Sequence, residues 1–399
     1  MRFTLIAFFV ILILDLLIWL YLHRAINRRA ESLRLRKILI IANITISAIA
    51  ICALISFPII GLSGDSDKSF LVVMWMLWVS LLFTIPQCVI ILFDLIGAIP
   101  LIFKKRRLEP VTIAGAFIAI AVVGCIIWGT FINRYSIQVK EVDVEIEGLP
   151  ESFDGYTIAQ ISDLHVGSYG GDTTFVARIV ERINSLQPDI VIFTGDLVNR
   201  HASEAEPFMP ALSQLSGRDG QYAILGNHDY ADYYYPRDSI NLKRADLLRL
   251  KSMYASSPIM LLDDRHHIIH RGNDSIALIG VENIGMGRFP NYGSLEKAYP
   301  SVSDNVVKIL LSHDPAHWSH SIADQPQQNI ALTLSGHTHA MQTVLLGWTP
   351  AIWHTPTPSG LYTDSFGRHL YVNIGIGTVG TPMRIGATPE ITLLRLQAK

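Results

Sequence analysis

Residues 156–165 read YTIAQISDLH and residues 189–196 read DIVIFTGD. Each is an apolar, β-rich run that gives way to a small residue and then to carboxylate or imidazole side chains. Between them Val176, Ile179, Val180, Ile183 and Leu186 recur at helical spacing, behind a capping Asp172 or Thr173 and ahead of Pro188. That change of period predicts a β-α-β unit. In open α/β sheets functional groups collect at the carboxyl ends of strands, so the two polar tails should meet.

The pattern recurs along the chain. Runs at Tyr222 to Leu225, Val306 to Leu311 and Ile330 to Leu334 lead into Gly226-Asn227-His228-Asp229, Ser312-His313 and Gly336-His337-Thr338-His339. The run Ile276 to Val281 leads instead into Glu282-Asn283. The five polar clusters are expected to converge on one sheet edge. Asp163 and His165 reach one cation if the chain turns between them, and the two oxygens of Asp196 could bridge two metals. The Asn227 oxygen is a modest ligand that makes sense beside anionic partners. In an extended H-x-H the two rings point to opposite sides, which suits flanking metals or a turn that redirects them. As an ordered set, these side chains suffice to ligate two divalent cations. His201, His266, His267, His270, His320, His354 and His369 lack such context and read as hydrogen-bonded core or surface histidines.

Composition separates two parts. The chain of 399 residues is 50% hydrophobic and only 17% charged, with a mean hydropathy of +0.34. The apolar excess lies before residue 133. Residues 1–132 hold 12 basic and 6 acidic groups, leaving 20 basic and 28 acidic groups for the remainder. An acidic soluble domain argues against a nucleic-acid binder, whose affinity rests on Lys and Arg neutralising phosphates. Cys52, Cys88 and Cys125 all lie in the apolar part. The soluble part therefore has neither a disulfide framework nor a thiolate metal site.

A helix crosses the hydrocarbon core with roughly 20 mostly apolar residues. Four stretches qualify, about Phe3 to Leu22, Ile38 to Leu62, Phe70 to Phe103 and Val111 to Phe131. The first is long for a signal peptide, contains Asp15 and lacks a small-residue cleavage site, so it reads as an uncleaved anchor. The third contains Pro86, Asp94 and Pro100 and is expected to cross once. Asp15 and Asp94 mark a functional site or pair inside the bundle. Arg24, Arg28, Arg29, Arg34, Arg36 and Lys37 lie between the first two spans, and Lys104, Lys105, Arg106 and Arg107 between the last two. The connection around Asp65, Asp67 and Lys68 lacks that bias. By the positive-inside rule both basic connections are cytoplasmic, which places the domain after residue 132 on the periplasmic or extracellular side of the inner membrane. The expected organisation is a transmembrane region at 1–132, a strand and linker at 133–152, of which Ser136 to Ile146 reads as an edge strand, and an α/β domain at 153–399.

From Tyr156 to Leu396 the series D-x-H, G-D, G-N-H-D, H and G-H-x-H resembles the calcineurin-like metallophosphoesterases, and more closely their membrane-anchored bacterial branch. The tail with Gly375, Gly377, Pro382, Arg384 and Pro389-Glu390-Ile391-Thr392 resembles that branch's last strands. One departure is visible, Ala340-Met341-Gln342, where many relatives have a Gly-rich step before Gln. The resemblance implies a two-sheet β-sandwich flanked by helices. It implies that Asp163, His165, Asp196 and His339 hold one metal and that Asp196, Asn227, His313 and His337 hold the second. It makes His228 the catalytic acid, held by Asp163 or its neighbourhood. Two such cations clamp phosphate oxygens and bring the pKa of a bridging water down to about 7. Nitrogen and oxygen donors without thiolate favour Mn, Fe or Zn. The expected activity is hydrolysis of phosphomonoesters or phosphodiesters at a lipid bilayer, with lipid-linked phosphates as a further possibility. The rivals are a pyrophosphatase acting on nucleotide-linked lipids and a non-catalytic metal-binding membrane receptor. Tyr230, Tyr233, Tyr234 and Tyr235, and Leu345, Leu346, Trp348, Ile352 and Trp353, are the loops expected to select substrate, by touching lipid or by packing over the sheet edge.

Overall fold

A computed structural model describes residues 2–30, 32–63, 67–287, 289–302, 305–325 and 329–399. It divides into two compact units, Met1–Phe131 with Gly380–Met383, and Ile132–Val379 with Arg384–Lys399.

The first unit contains helices α1 (Arg2–Arg29), α2 (Leu33–Ser63), α3 (Asp67–Ala98) and α4 (Glu109–Phe131). Among the described residues Leu33–Ile55, Asp67–Phe103 and Glu109–Tyr135 are long and apolar enough to cross a membrane. Ile41, Ile113, Phe117 and Ile120 are all exposed; apolar groups facing outward suit hydrocarbon rather than water. Helix α3 continues through Pro86 without a break and ends in a tight turn over Ile99–Phe103. The helices outrun the apolar stretches. Arg24, Arg28 and Arg29 lie on the end of α1, and Arg34, Arg36 and Lys37 on the start of α2, so the first basic connection is mostly helix. Asp65, named with the less basic connection, lies outside the described residues.

Both acids of the apolar stretches, Asp15 and Asp94, have partners inside this unit. Asp94 pairs with the Arg29 and Arg107 guanidiniums and accepts from the Tyr21 hydroxyl at 2.6 Å. The Thr84 hydroxyl donates to Asp15 at 2.7 Å. A charge among apolar helices persists when it is matched in this way. The Asp94 cluster also brings Arg29 and Arg107, from the two basic connections, to one point of the bundle.

The second unit holds two six-stranded mixed sheets. Strands β1 (Gln138–Ile146), β2 (Thr157–Ile161), β3 (Ile190–Phe193), β4 (Gln221–Ala223) and β5 (Ile259–Leu261) belong to the first, with β12 (Glu390–Ala398) inserted between β1 and β2. Strands β6 (Arg265–Arg271), β7 (Asp274–Gly280), β8 (Lys308–Leu311), β9 (Leu332–Ser335), β10 (Gly360–Thr363) and β11 (His369–Val372) form the second, in the order β10-β11-β9-β8-β7-β6. β1 is an edge strand, as its alternation of Val and Ile with charged residues requires. Instead of one sheet edge, the runs that lead into polar clusters divide between the sheets, β2, β3 and β4 in one and β8 and β9 in the other.

Alternation decides which face each side chain takes. Ile190 and Ile192 of β3, with Ile309 and Leu311 of β8, fill the space between the sheets. Val191 and Phe193 point the other way, onto α5 (Thr174–Ser185) through Val176, Ile179 and Ile183. Leu310 likewise leaves the inter-sheet core for a third cluster with Trp318 and Ile322. Truncating Ile192 to Ala in this fully buried layer should lower the stability of the unit by about 2–5 kcal/mol. Ile113→Ala on the exposed side of α4 should change it by less than about 0.5 kcal/mol. Thermal unfolding of the full chain in detergent checks the contrast.

Candidate metal centre

The strands that carry the polar clusters end in sharply turned backbone. Asp163, His165, Asp196, His337 and His339 all have φ between 43° and 71°. Non-glycine residues avoid this left-handed region, at a cost of about 1–3 kcal/mol each. The turns redirect D-x-H and H-x-H so that both members of each motif face one centre. Ala340 and Met341 have φ of 49° and 47°, a conformation that glycine adopts most readily.

Two motif glycines let the loops close. A Cβ on Gly226 would collide with the Asp196 carboxylate, and one on Gly336 with Ser162 and the Asp163 carboxylate. Asp229, fully buried, locks the approach. Its Oδ1 accepts from the N–H groups of Leu197 (2.9 Å) and Val198 (3.2 Å), and its Oδ2 from those of Asp196 (2.9 Å) and Gly226 (2.9 Å). In return the His228 N–H donates to Asp196 Oδ1 at 2.8 Å. Asp196 Oδ2 is thereby directed toward His313 Nε2 (3.1 Å) and His165 Nε2 (3.5 Å).

Seven of the eight side chains expected at the site fall into close groups, and the eighth, Asn227, lines the same cavity. Ligand atoms of Asp163, His165 and His339 lie within 4.8 Å of one another, as do those of Asp196, His313 and His337, and those of His165, Asp196 and His228. The donors fit cations. Backbone carbonyls only accept, so the contacts of His165 Nδ1 with Val198 O (3.1 Å) and of His313 Nδ1 with Thr194 O (2.7 Å) put a proton on each Nδ1 and direct Nε2 into the cluster. His165 Nε2 lies 3.1 Å from His339 Nε2. His313 Nε2 is buried and out of line for any hydrogen bond, despite its 3.1 Å approach to Asp196. Asn227 Nδ2 donates to the Tyr233 hydroxyl at 2.8 Å, while its buried Oδ1 has no hydrogen-bond partner. These atoms suit a divalent cation better than they suit one another, His313 Nε2 once it has given up its proton. His339 is the exception, because Arg384 can only donate to its Nδ1 (3.2 Å) and thereby places the ring proton on Nε2, 3.1 Å from Asp163 Oδ1. A cation there would displace that proton.

Electrostatics follow from burial and from these pairs. Burial disfavours charge on His313, but the Asp196 carboxylate outweighs it and lifts the imidazole to about 10. Burial pushes the Asp163 carboxyl up, yet the neighbouring His339 and His313 rings hold it well below the usual range. His165 stays neutral because of burial and then the nearby His228, and burial lowers His337. Burial first and the Asp196 charge second raise Asp229 to about 7.

His228 is not held by Asp163. Its Nδ1 donates to the Asn199 carbonyl at 2.7 Å, and its ring stacks on Tyr233 with centroids 4.2 Å apart. A cavity of about 590 Å³ opens onto the centre, reaching Asp196, Asn227, His228, His337 and His339. His320 and His354 also line it, although in the sequence nothing distinguishes them from surface histidines. Asp229, Tyr233 and Arg384 were visible as motif, loop and tail residues, but their holding roles were not.

The family model for calcineurin-like phosphoesterases matches residues 156–341. A Danio rerio protein described as a transmembrane protein with metallophosphoesterase domain is 31% identical over 308 residues, which cover 74% of this chain and 67% of that protein. The Bos taurus protein of the same description is 33% identical over 264 residues, 65% of this chain and 57% of its own length. The UDP-2,3-diacylglucosamine pyrophosphatase LpxG of Chlamydia trachomatis is 31% identical over 313 residues, 67% of this chain and 92% of that enzyme.

Asp229→Ala would strip the acceptor from buried N–H groups at about 1–3 kcal/mol each. The variant should therefore melt earlier and bind less Mn, and an unchanged melting midpoint would contradict the role given to Asp229. Because His313 is lifted to about 10, it holds a proton at neutral pH that a cation must displace. Mn affinity should rise between pH 6 and 8, by roughly tenfold per unit for each proton released. Calorimetry in two buffers of different ionisation enthalpy counts those protons.

Proposed function

Because the chain belongs to the calcineurin-like phosphoesterase family and is a phosphoester hydrolase, we propose that it is a membrane-anchored, two-cation hydrolase of phosphomonoesters or phosphodiesters. Lipid-linked phosphates are its favoured substrate class. The observation that carries this reading is the buried centre of carboxylate and imidazole donors, with His313 Nε2 and Asn227 Oδ1 left without hydrogen-bond partners, at the floor of an open cavity.

Asp163, His165, Asp196 and His339 hold one cation, and Asp196, Asn227, His313 and His337 hold the other. Mn, Fe or Zn suits these donors. When bound, the cations supply Lewis-acid stabilisation of phosphoryl oxygens and acidify a water molecule. The remaining work belongs to side chains. Asp196 offers Oδ2 to both halves of the centre because Oδ1 is occupied by the His228 N–H. His228 is assigned as acid rather than ligand: it lines the cavity and is only half-buried, and the Asn199 carbonyl fixes its proton on Nδ1. Its Nε2, when protonated, delivers a proton to the departing alkoxide. Positioned acids contribute about 10²–10⁴-fold.

The charge pattern supports an outward-facing active site. Arg29 and Arg107 meet at Asp94, as expected if both basic connections occupy the cytoplasmic face of a multi-pass inner-membrane protein. Helix α4 then leads out of the cytoplasm. The likeness to LpxG favours a second reading, hydrolysis of a pyrophosphate in a nucleotide-linked lipid, which requires a cytoplasmic active site. A topology reporter fused after Lys399 separates the two: a cytoplasmic signal supports the second reading and defeats the first.

With Mn, the wild-type chain should hydrolyse a nitrophenyl monoester or bis-ester, and Asp196→Ala should not. His228→Ala should lower kcat by about 10²–10⁴ for an alkyl ester and by less for nitrophenolate, which needs little protonation to leave. Undiminished alkyl-ester turnover would remove His228 from the mechanism.

A further inference from the structure

Residues 325–363 contain no Asp, Glu, Lys or Arg. Much of this stretch lies outside the core. Leu345 and Trp348 exchange backbone hydrogen bonds of 2.8 and 3.0 Å around a two-residue tip, where Leu346 has φ 51° and Gly347 φ 81°. Such a turn normally takes Asn or Asp followed by Gly. Leucine gains nothing there in backbone terms, and its side chain is fully exposed. Beside it Trp348 and Trp353 make an edge contact with centroids 5.3 Å apart, and Trp353 remains 75% exposed. Leu345 and Ile352 extend the same apolar surface.

This surface is fixed to the centre. The Thr349 hydroxyl donates to the Ala340 carbonyl at 2.6 Å, next to His339, and the Thr338 hydroxyl donates to the Pro358 carbonyl at 2.6 Å. The segment that shows Leu346 and Trp353 to the outside turns Ala351, His354 and Thr355 into the cavity wall. The apolar patch and the cavity mouth are thus built from one stretch of chain.

The chain itself supplies the candidate occupant. Helix α4 ends at Phe131, and already Asn133 donates to the Arg384 carbonyl and Arg134 to the Ser168 carbonyl, both at 2.8 Å. Only Ile132 lies between the end of α4 and residues bonded within the phosphoesterase unit, so an α4 embedded in a bilayer would tether that unit by a single residue. Uncharged Leu and Ile beside Trp are the side chains that favour the interfacial layer of a bilayer. We propose that residues 344–353 form a wedge that inserts into the lipid interface beside the cavity mouth, so that an amphipathic phosphoester enters from the headgroup plane. The insertion stands independently, whereas its consequence for substrate rests on the hydrolase reading above.

The test uses the full chain in phosphatidylethanolamine/phosphatidylglycerol vesicles, with Cys52, Cys88 and Cys125 replaced by Ser. A spin label is attached at Leu346→Cys or, as a control, at Asn273→Cys in the exposed β6–β7 turn. The label at 346 should be more accessible to oxygen than to a water-soluble nickel chelate, with the reverse at 273. Nickel access at 346 equal to that at 273 overturns the proposal, as does shielding from both reagents, which would mean a protein occupant such as a second copy. In a second arm, the double variant Leu346→Glu, Trp353→Glu should hydrolyse a vesicle-anchored phosphoester about tenfold more slowly than wild type, with soluble bis-nitrophenyl phosphate turnover within about twofold. Equal rates for both proteins on both substrates overturn the supply role. If neither protein hydrolyses the soluble ester, the hydrolase reading fails, while the spin labels still decide insertion.

Discussion

Two buried carboxylates hold each other's loops, and the rest of the centre depends on that reciprocity. Asp229, on the loop after β4, gathers the N–H groups of Asp196, Leu197 and Val198 from the loop after β3. Asp196 in turn accepts the N–H of His228. Neither loop can relax without stranding buried polar groups of the other, which is costly where water cannot enter. The same bonds leave Asp196 Oδ2 facing the imidazoles on both sides, which is the geometry a bridging ligand needs.

This locking makes the strained backbone tolerable. Left-handed turns at five of the candidate ligand positions are unfavourable individually, and persist because packed sheets fix both ends of each loop. Strain at that density is expected where geometry serves function rather than stability. The sandwich therefore acts as a frame. One sheet presents Asp163, His165, Asp196 and Asn227, the other His313, His337 and His339, and the cations would join them across the top of the inter-sheet core.

The sequence showed the clusters because each follows an apolar run and a small residue, such as Gly226 or Gly336. It showed the α5 helix through Val176, Ile179 and Ile183. It could not show that the runs split between two sheets, since an isolated run carries no record of its pairing partner. The insertion of β12 between β1 and β2 joins segments more than 200 residues apart, and no local signal encodes it. The support of His228 was misread for a related reason: Asn199 acts through its backbone carbonyl, a group every residue possesses. His320 and His354 became visible only when tertiary structure brought them to the cavity.

The central claim is that one chain holds two cations through a shared Asp196. Elemental analysis of the purified full chain, after loading with Mn and exhaustive removal of free metal, tests it most directly. The account predicts two Mn per wild-type chain and a marked loss of both in Asp196→Ala. One or no Mn in the wild type, or two retained without Asp196, would contradict it.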